Sequence, residues 1–112
     1  MDIFYALADP NRRKILELLA SHGQLSATEI YTNFSVSPPA ISQHLKVLRE
    51  ARLVTMHKRA QQRLYRINPE AMLELQDWSQ QLARQWNQRL DALDELLKAE
   101  TEKNTGKKGK EG

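Results

Sequence analysis

In the run Ser37-Pro38-Pro39-Ala40-Ile41-Ser42-Gln43-His44-Leu45-Lys46-Val47-Leu48-Arg49, Ile41, Leu45 and Leu48 recur at helical spacing. The other side of such a helix carries Pro39, Ser42, Gln43 and Lys46, with Arg49 a turn further on. None of these residues is equipped to break a bond, and their shared chemistry is recognition. A glutamine amide pairs bidentately with N6 and N7 of adenine, and a serine hydroxyl can donate or accept. Lys46 and Arg49 suit phosphates. Ser37 and the backbone N–H groups at the helix start read as a further phosphate site. His44 falls between the inward and outward faces. The set expected on a DNA-facing helix is therefore Ser37, Pro38, Pro39, Ala40, Ser42, Gln43, His44, Lys46 and Arg49.

A second group follows in Lys58, Arg59, Gln61, Gln62 and Arg63, with Arg66 close behind. Val54 and Met56 before it, and Tyr65 and Ile67 after it, alternate with a period of two, so Lys58–Arg63 is expected at the tip of a hairpin. A charged hairpin can simply be an edge kept soluble. Downstream of a helix pair it reads as a wing that neutralises phosphates and releases counterions. The charge distribution agrees. Residues 1–66 hold ten Lys/Arg and five Asp/Glu, whereas residues 67–112 hold seven and nine. One half is suited to a polyanion and the other is not.

The elements that must hold these groups are well punctuated. Asp9-Pro10 is an N-cap with proline at the first helical position, and Ile15, Leu18 and Leu19 supply the stripe up to a stop at Gly23. A short helix is expected before it, from Ile3, Phe4, Ala6 and Leu7. Ser26-Ala27-Thr28-Glu29 is a capping-box pattern opening a helix with Ile30, Tyr31 and Phe34 inward, ending at Ser35-Val36. Ser37-Pro38 then starts the helix described above. Two helices joined by about four residues and followed by a hairpin give a winged helix-turn-helix, mainly α with a small β-hairpin (α+β), whose second helix enters the major groove.

Asn68-Pro69 opens a long helix in which Leu75, Trp78, Leu82, Trp86, Leu90, Leu93 and Leu97 recur every three or four residues. From Trp86 the steps are four, three and four, as in a coiled-coil seam, which requires a partner helix. A homodimer is expected, with Ile3, Phe4, Leu7, Trp78, Leu82, Trp86, Leu90, Leu93 and Leu97 at its interface. A core stripe within one chain is the plainer reading of the same pattern. The domain is expected over residues 1–100, with the dimerisation helix at about 69–100 and a disordered basic tail over 101–112.

Composition closes off other classes. The 112 residues include no cysteine, which excludes disulfides, thiolate metal sites and a cysteine nucleophile. His22, His44 and His57 show no ligand spacing, so no metal and no cofactor are expected. There is no glycine-rich phosphate loop and no Ser/His/Asp grouping that suggests an enzyme. No apolar run is long enough to span a membrane and the first residues do not read as a secretory signal, so a cytoplasmic location is expected.

Several segments resemble the ArsR-type bacterial repressors. Asp9-Pro10-Asn11-Arg12-Arg13-Lys14-Ile15-Leu16-Glu17-Leu18-Leu19 is similar to their first winged-helix segment, and Ser37–Leu48 to their recognition helix. Leu64-Tyr65-Arg66-Ile67-Asn68-Pro69 resembles the end of the wing. Trp86-Asn87-Gln88-Arg89-Leu90-Asp91-Ala92-Leu93 resembles the last helix of a branch that does not sense metals. The resemblance covers about residues 2–97. It implies dimers built from the first and last helices, repression of transcription, and release of DNA on a signal.

The departures from that family are specific. Ser26 and Thr28 stand where the metal-sensing members carry thiolates, and the last helix has no histidine. Arg52 occupies a position where the family usually has a glycine, and the hairpin lacks the common glycine at its tip. The partners this reading implies are double-stranded DNA with a palindromic operator and a second copy of the chain, and no membrane. The alternative is a protein-interaction module docking through the Trp/Leu helix.

Overall fold

A computed structural model describes residues 2–111, with side chains through Lys103. It divides into two compact units, Met1–Glu74 and Leu75–Gly112.

In the first unit every helix starts where a side chain can take up orphan N–H groups. Helix α1 (Ile3–Leu7) begins at Asp2, whose carboxylate accepts from the Phe4 N–H at 3.2 Å. Helix α2 (Pro10–His22) is capped by Asp9, which accepts from Asn11 N–H (2.8 Å) and Arg12 N–H (3.2 Å), and ends at Gly23 with φ 81°. Helix α3 (Ala27–Tyr31) opens with the full capping box. Glu29 N–H donates to Ser26 Oγ at 3.1 Å, and Ser26 N–H donates to Glu29 Oε1 at 3.0 Å.

Helix α3 is shorter than its apolar stripe suggests and stops before Ser35-Val36. The cause is local competition for one carbonyl. Thr32 Oγ1 (2.8 Å) and Asn33 Nδ2 (2.9 Å) both donate to the Glu29 oxygen that the next helical N–H would use. Phe34 is left half-buried beneath the turn, with Lys14 Nζ 4.8 Å from its ring centroid.

Helix α4 (Pro38–Glu50) presents Ile41, Leu45 and Leu48 to the core, as expected. Its end is a Schellman motif. Leu53 N–H donates to the Leu48 carbonyl and Arg52 N–H to the Arg49 carbonyl, both at 3.0 Å, while Leu48 and Leu53 are fully buried. Arg52 supplies the left-handed residue, at φ 62°. A side chain there is strained in a way glycine is not, so Arg52→Gly is expected to raise stability by roughly 0.5–1 kcal/mol. The urea midpoint measures it, and a fall would show that Arg52 makes a compensating contact.

The sheet has three strands, β1 (Leu25–Ser26), β2 (Val54–Arg59) and β3 (Gln62–Ile67), antiparallel in the order β1-β3-β2. The two-residue β1 was not anticipated, because two residues cannot show a period. The hairpin also differs from expectation. Arg59 pairs with Gln62 and Lys58 with Arg63, so the basic residues lie in the strands and the turn is only Ala60-Gln61. Ala60 takes φ 56° in place of a glycine.

The core gathers Ile15, Leu19, Ile30, Ile41, Leu45, Leu48 and Leu53, each less than 2% exposed, and thereby joins α2, α3, α4 and the approach to β2.

Helix α5 (Pro69–Glu111) begins in the first unit, where Asn68 Oδ1 accepts from Glu70 N–H (3.2 Å) and Ala71 is buried. The same Asn68 donates through Nδ2 to the Arg52 carbonyl at 2.9 Å, which joins the end of α4 to the start of α5. In the second unit Leu82, Trp86, Leu90, Leu93 and Leu97 stand along one exposed ridge. The helix continues through Thr101–Lys103, where the sequence suggests the start of a disordered tail. Glutamate and lysine there are good helix formers, and no proline intervenes. The side chains of the rest of that expected tail lie outside the described residues.

Candidate nucleic-acid interface

The outer face of α4 carries Ser42, Gln43, Lys46 and Arg49, all exposed, as are Ser37, Pro38 and Pro39 at its start. Ala40 is half-buried. The expected phosphate site at this end has little to offer. Pro38 and Pro39 have no N–H, Ala40 N–H donates to Ser37 Oγ (3.4 Å), and Ile41 N–H donates to the Ser37 carbonyl (3.1 Å). Ser37 therefore acts as a cap.

Beside α4 runs a groove lined by Lys46, Arg49, Glu50, Val54, Thr55 and Met56, which places two cations between the helix and strand β2. Strand alternation sets Lys58 and Arg63 on the same face as Val54, Met56, Tyr65 and Ile67, while Arg59, Gln62 and Arg66 point to the other face. Lys58 and Arg63 are direct cross-strand partners. Like charges in that position destabilise a hairpin. Residues 52–66 hold five Lys/Arg and no Asp/Glu, so the repulsion is relieved by nothing acidic in the segment and is suited to an external polyanion.

Two residues of the expected set are engaged elsewhere. Ser42 Oγ lies 2.8 Å from the Tyr31 hydroxyl of α3. His44 is half-buried, with Nδ1 3.2 Å from Arg12 Nη1 and Nε2 4.0 Å from Asp9 Oδ1. Arg12 is itself buried. Its Nε donates to the Ala6 carbonyl (2.7 Å), its Nη2 to the Tyr5 carbonyl (3.1 Å), and its guanidinium lies 5.3 Å from the Tyr5 ring centroid. Sequence reasoning missed both Arg12 and Tyr31. A buried arginine inside a basic run Arg12-Arg13-Lys14 gives no local signal that separates it from its solvated neighbours.

The Asp9 carboxyl feels opposing influences. Burial pushes it up, but the N–H groups of Arg12 and Asn11 and the charges of His44 and Arg12 outweigh this and hold it below the ordinary aspartate value of 3.8. A carboxyl that titrates lower when folded stabilises fully above that ordinary value, and the contribution is lost as pH falls through the folded-state value. Asp9→Asn is therefore expected to lower the urea midpoint at neutral pH and to converge with the parent as the pH falls from about 5 to about 2, which flattens the acid limb. An identical acid limb in the variant would remove Asp9 from the account.

The residues expected at a dimer interface fall into two groups. Ile3 and Leu7 are half-buried against the core of their own unit, and Phe4 is exposed. On α5, Trp78, Leu82, Trp86, Leu90, Leu93 and Leu97 are 43–59% exposed. Among the described residues, no three His, Cys, Asp or Glu side chains are grouped to hold a metal. His22 Nδ1 donates to the Leu18 carbonyl at 2.9 Å, and His57 pairs across the hairpin with Leu64. No helix among the described residues is long and apolar enough to cross a membrane.

A helix with a polar outer face, set beside a basic hairpin on one core, defines a winged helix-turn-helix protein. Residues 9–56 match the family described as bacterial regulatory protein, arsR family. The chain is 41% identical over 95 residues to the HTH-type transcriptional regulator Rv2034 of Mycobacterium tuberculosis, covering 85% of each. It is 36% identical over 77 residues to the transcriptional repressor SdpR of Bacillus subtilis, covering 69% of this chain and 84% of that one. The solved ArsR-like transcriptional regulator from Rhodococcus sp. RHA1 superposes with a TM-score of 0.74 at 28% identity, over 87% of this chain and 88% of that one. The chain belongs to the ArsR family and is a DNA-binding transcriptional regulator, not an enzyme.

Proposed function

We propose that the protein is a cytoplasmic, homodimeric repressor that binds an inverted-repeat operator. One α4 enters each of two successive major grooves, and one hairpin lies along the flanking backbone. The observation that carries this is the pairing of an exposed Gln43 on α4 with a hairpin whose cross-strand neighbours Lys58 and Arg63 repel each other. Gln43 supplies base readout. Lys46, Arg49, Lys58, Arg59 and Arg63 supply phosphate contacts, with Gln61 and Gln62 at the wing's tip. The ridge on α5 supplies the twofold contact, and a twofold protein reads two half-sites about one helical turn apart.

Fluorescence anisotropy against the DNA upstream of its own gene and against random DNA, at about 0.15 M ionic strength, tests the reading. The expected preference is about 10³ or more. Gln43→Ala is expected to lower operator affinity by about 1–3 kcal/mol and to leave random DNA unchanged. Arg59→Ala is expected to weaken both alike and to reduce the salt slope by about 1. Equal losses on operator and random DNA for Gln43→Ala would remove it from base readout.

A further inference from the structure

Gln43 is bracketed. Its neighbours Ser42 and His44 point about 100° to either side of it around α4, and each is tied to a different helix. Ser42 Oγ meets Tyr31 OH on α3 at 2.8 Å, and His44 Nδ1 meets Arg12 on α2 at 3.2 Å. Elsewhere α4 rests on the core through Ile41, Leu45 and Leu48, whose apolar contacts resist lifting more than rolling. Hydrogen bonds are directional, so two of them on opposite flanks fix the angle at which the residue between them projects.

Arg12 is well placed for its stay. It is buried and held by the Ala6 and Tyr5 carbonyls at the end of α1, and an arginine has only donors to offer. When the imidazole is neutral, His44 Nδ1 must therefore accept, which fixes the ring's tautomer and leaves the Nε2 proton on the side of Asp9.

We propose that Tyr31 and Arg12, acting through Ser42 and His44, are positioning residues that set the projection of Gln43 and so determine operator specificity without touching DNA. This rests on the reading of α4 as the recognition helix. It moves Ser42 and His44 from reading bases to aiming the residue between them. Because Arg12 also closes the carbonyl end of α1, the aim of Gln43 depends on where that short helix sits.

The experiment measures the ratio of operator to random-DNA affinity for Tyr31→Phe, Ser42→Ala, His44→Leu, His44→Gln, Arg12→Met and Gln43→Ala. A loss of folded protein scales both affinities together and leaves the ratio alone, so a merely structural role does not move it. Tyr31→Phe deletes one oxygen, and is expected to lower the ratio about threefold, as for an exposed neutral hydrogen bond. Ser42→Ala matches it, and the double variant is no worse than either.

His44→Leu is expected to lower the ratio about tenfold, since the lost partner is a charged donor. His44→Gln, whose amide oxygen can accept from Arg12, recovers most of the loss. Arg12→Met matches His44→Leu if it folds, and the histidine pair decides the matter if it does not. A ratio that falls for Ser42→Ala but not for Tyr31→Phe shows that Ser42 reads a base directly and overturns that stay. An unchanged ratio in His44→Leu overturns the other. An unchanged ratio in Gln43→Ala shows instead that the reading of α4 itself fails.

Discussion

Leu48→Ala is expected to destabilise the protein by about 2–5 kcal/mol, the range for truncating a fully buried leucine. Leu48 is 0% exposed and does two jobs. It fills the core beneath α4, and its carbonyl accepts from the Leu53 N–H in the motif that ends that helix. Leu45 and Ile41, one and two turns back, are also fully buried, and a close-packed core relaxes only partly around a void. A domain of this size has roughly 5–10 kcal/mol in all, which makes the loss a large fraction of it.

The measurement is urea unfolding followed by circular dichroism. The midpoint should fall with an unchanged slope, which would separate lost stability from a changed unfolded state. DNA affinity at low temperature, corrected for folded protein, should change far less than for Gln43→Ala, because Leu48 faces away from the exposed side of α4. A midpoint within experimental error of the parent would show that the site relaxes fully and that the packing described above is not tight.

What the sequence reveals follows from which forces act locally. The starts of α2, α3 and α4 are set by caps within three residues of the helix they open, and Asp9, Ser26 and Ser37 each cap the helix they precede, Ser37 without the phosphate role also read into it. The inward faces of α2 and α4 are periodic and hence legible. The contacts that aim α4 are not, because Arg12 and His44 lie 32 residues apart and Tyr31 and Ser42 lie 11 apart. Nothing in a linear pattern marks such pairs.

The hairpin boundaries were misplaced for a related reason. Strand residues at the tip are charged on both faces, so the alternation that signals a strand disappears just where the strands meet. The left-handed positions were half legible. Arg52 stands out as a residue where the ArsR-type pattern has glycine, and the structure gives it φ 62°; the missing glycine at the hairpin tip marks the second position only loosely, and it is the structure that assigns it to Ala60 at φ 56°.

The introduction of a charge by Leu90→Lys on α5 is expected to have the largest effect on function. Trp86, Leu90, Leu93 and Leu97 follow a four-three-four spacing and remain 43–59% exposed in one chain, an apolar ridge of the kind that pairs with another helix. Lysine preserves helix propensity, so the substitution tests burial of the ridge and leaves the helix itself intact. Each chain is 13.0 kDa. The parent should run at twice that mass by light scattering, and Leu90→Lys at the single mass, with little change in helical circular dichroism.

The consequence for DNA follows from effective concentration. A dimer that has placed one α4 holds the second near its half-site, and losing that linkage costs about 10²–10⁴-fold in operator affinity without altering any base contact. Random-DNA affinity per protomer should fall much less, since Lys58, Arg59 and Arg63 are untouched. A Leu90→Lys chain that stays dimeric and binds its operator normally would place the twofold contact elsewhere, with α1 and its exposed Phe4 the next surface to substitute. A monomeric parent that binds neither DNA would instead assign the Trp/Leu ridge to a different protein partner.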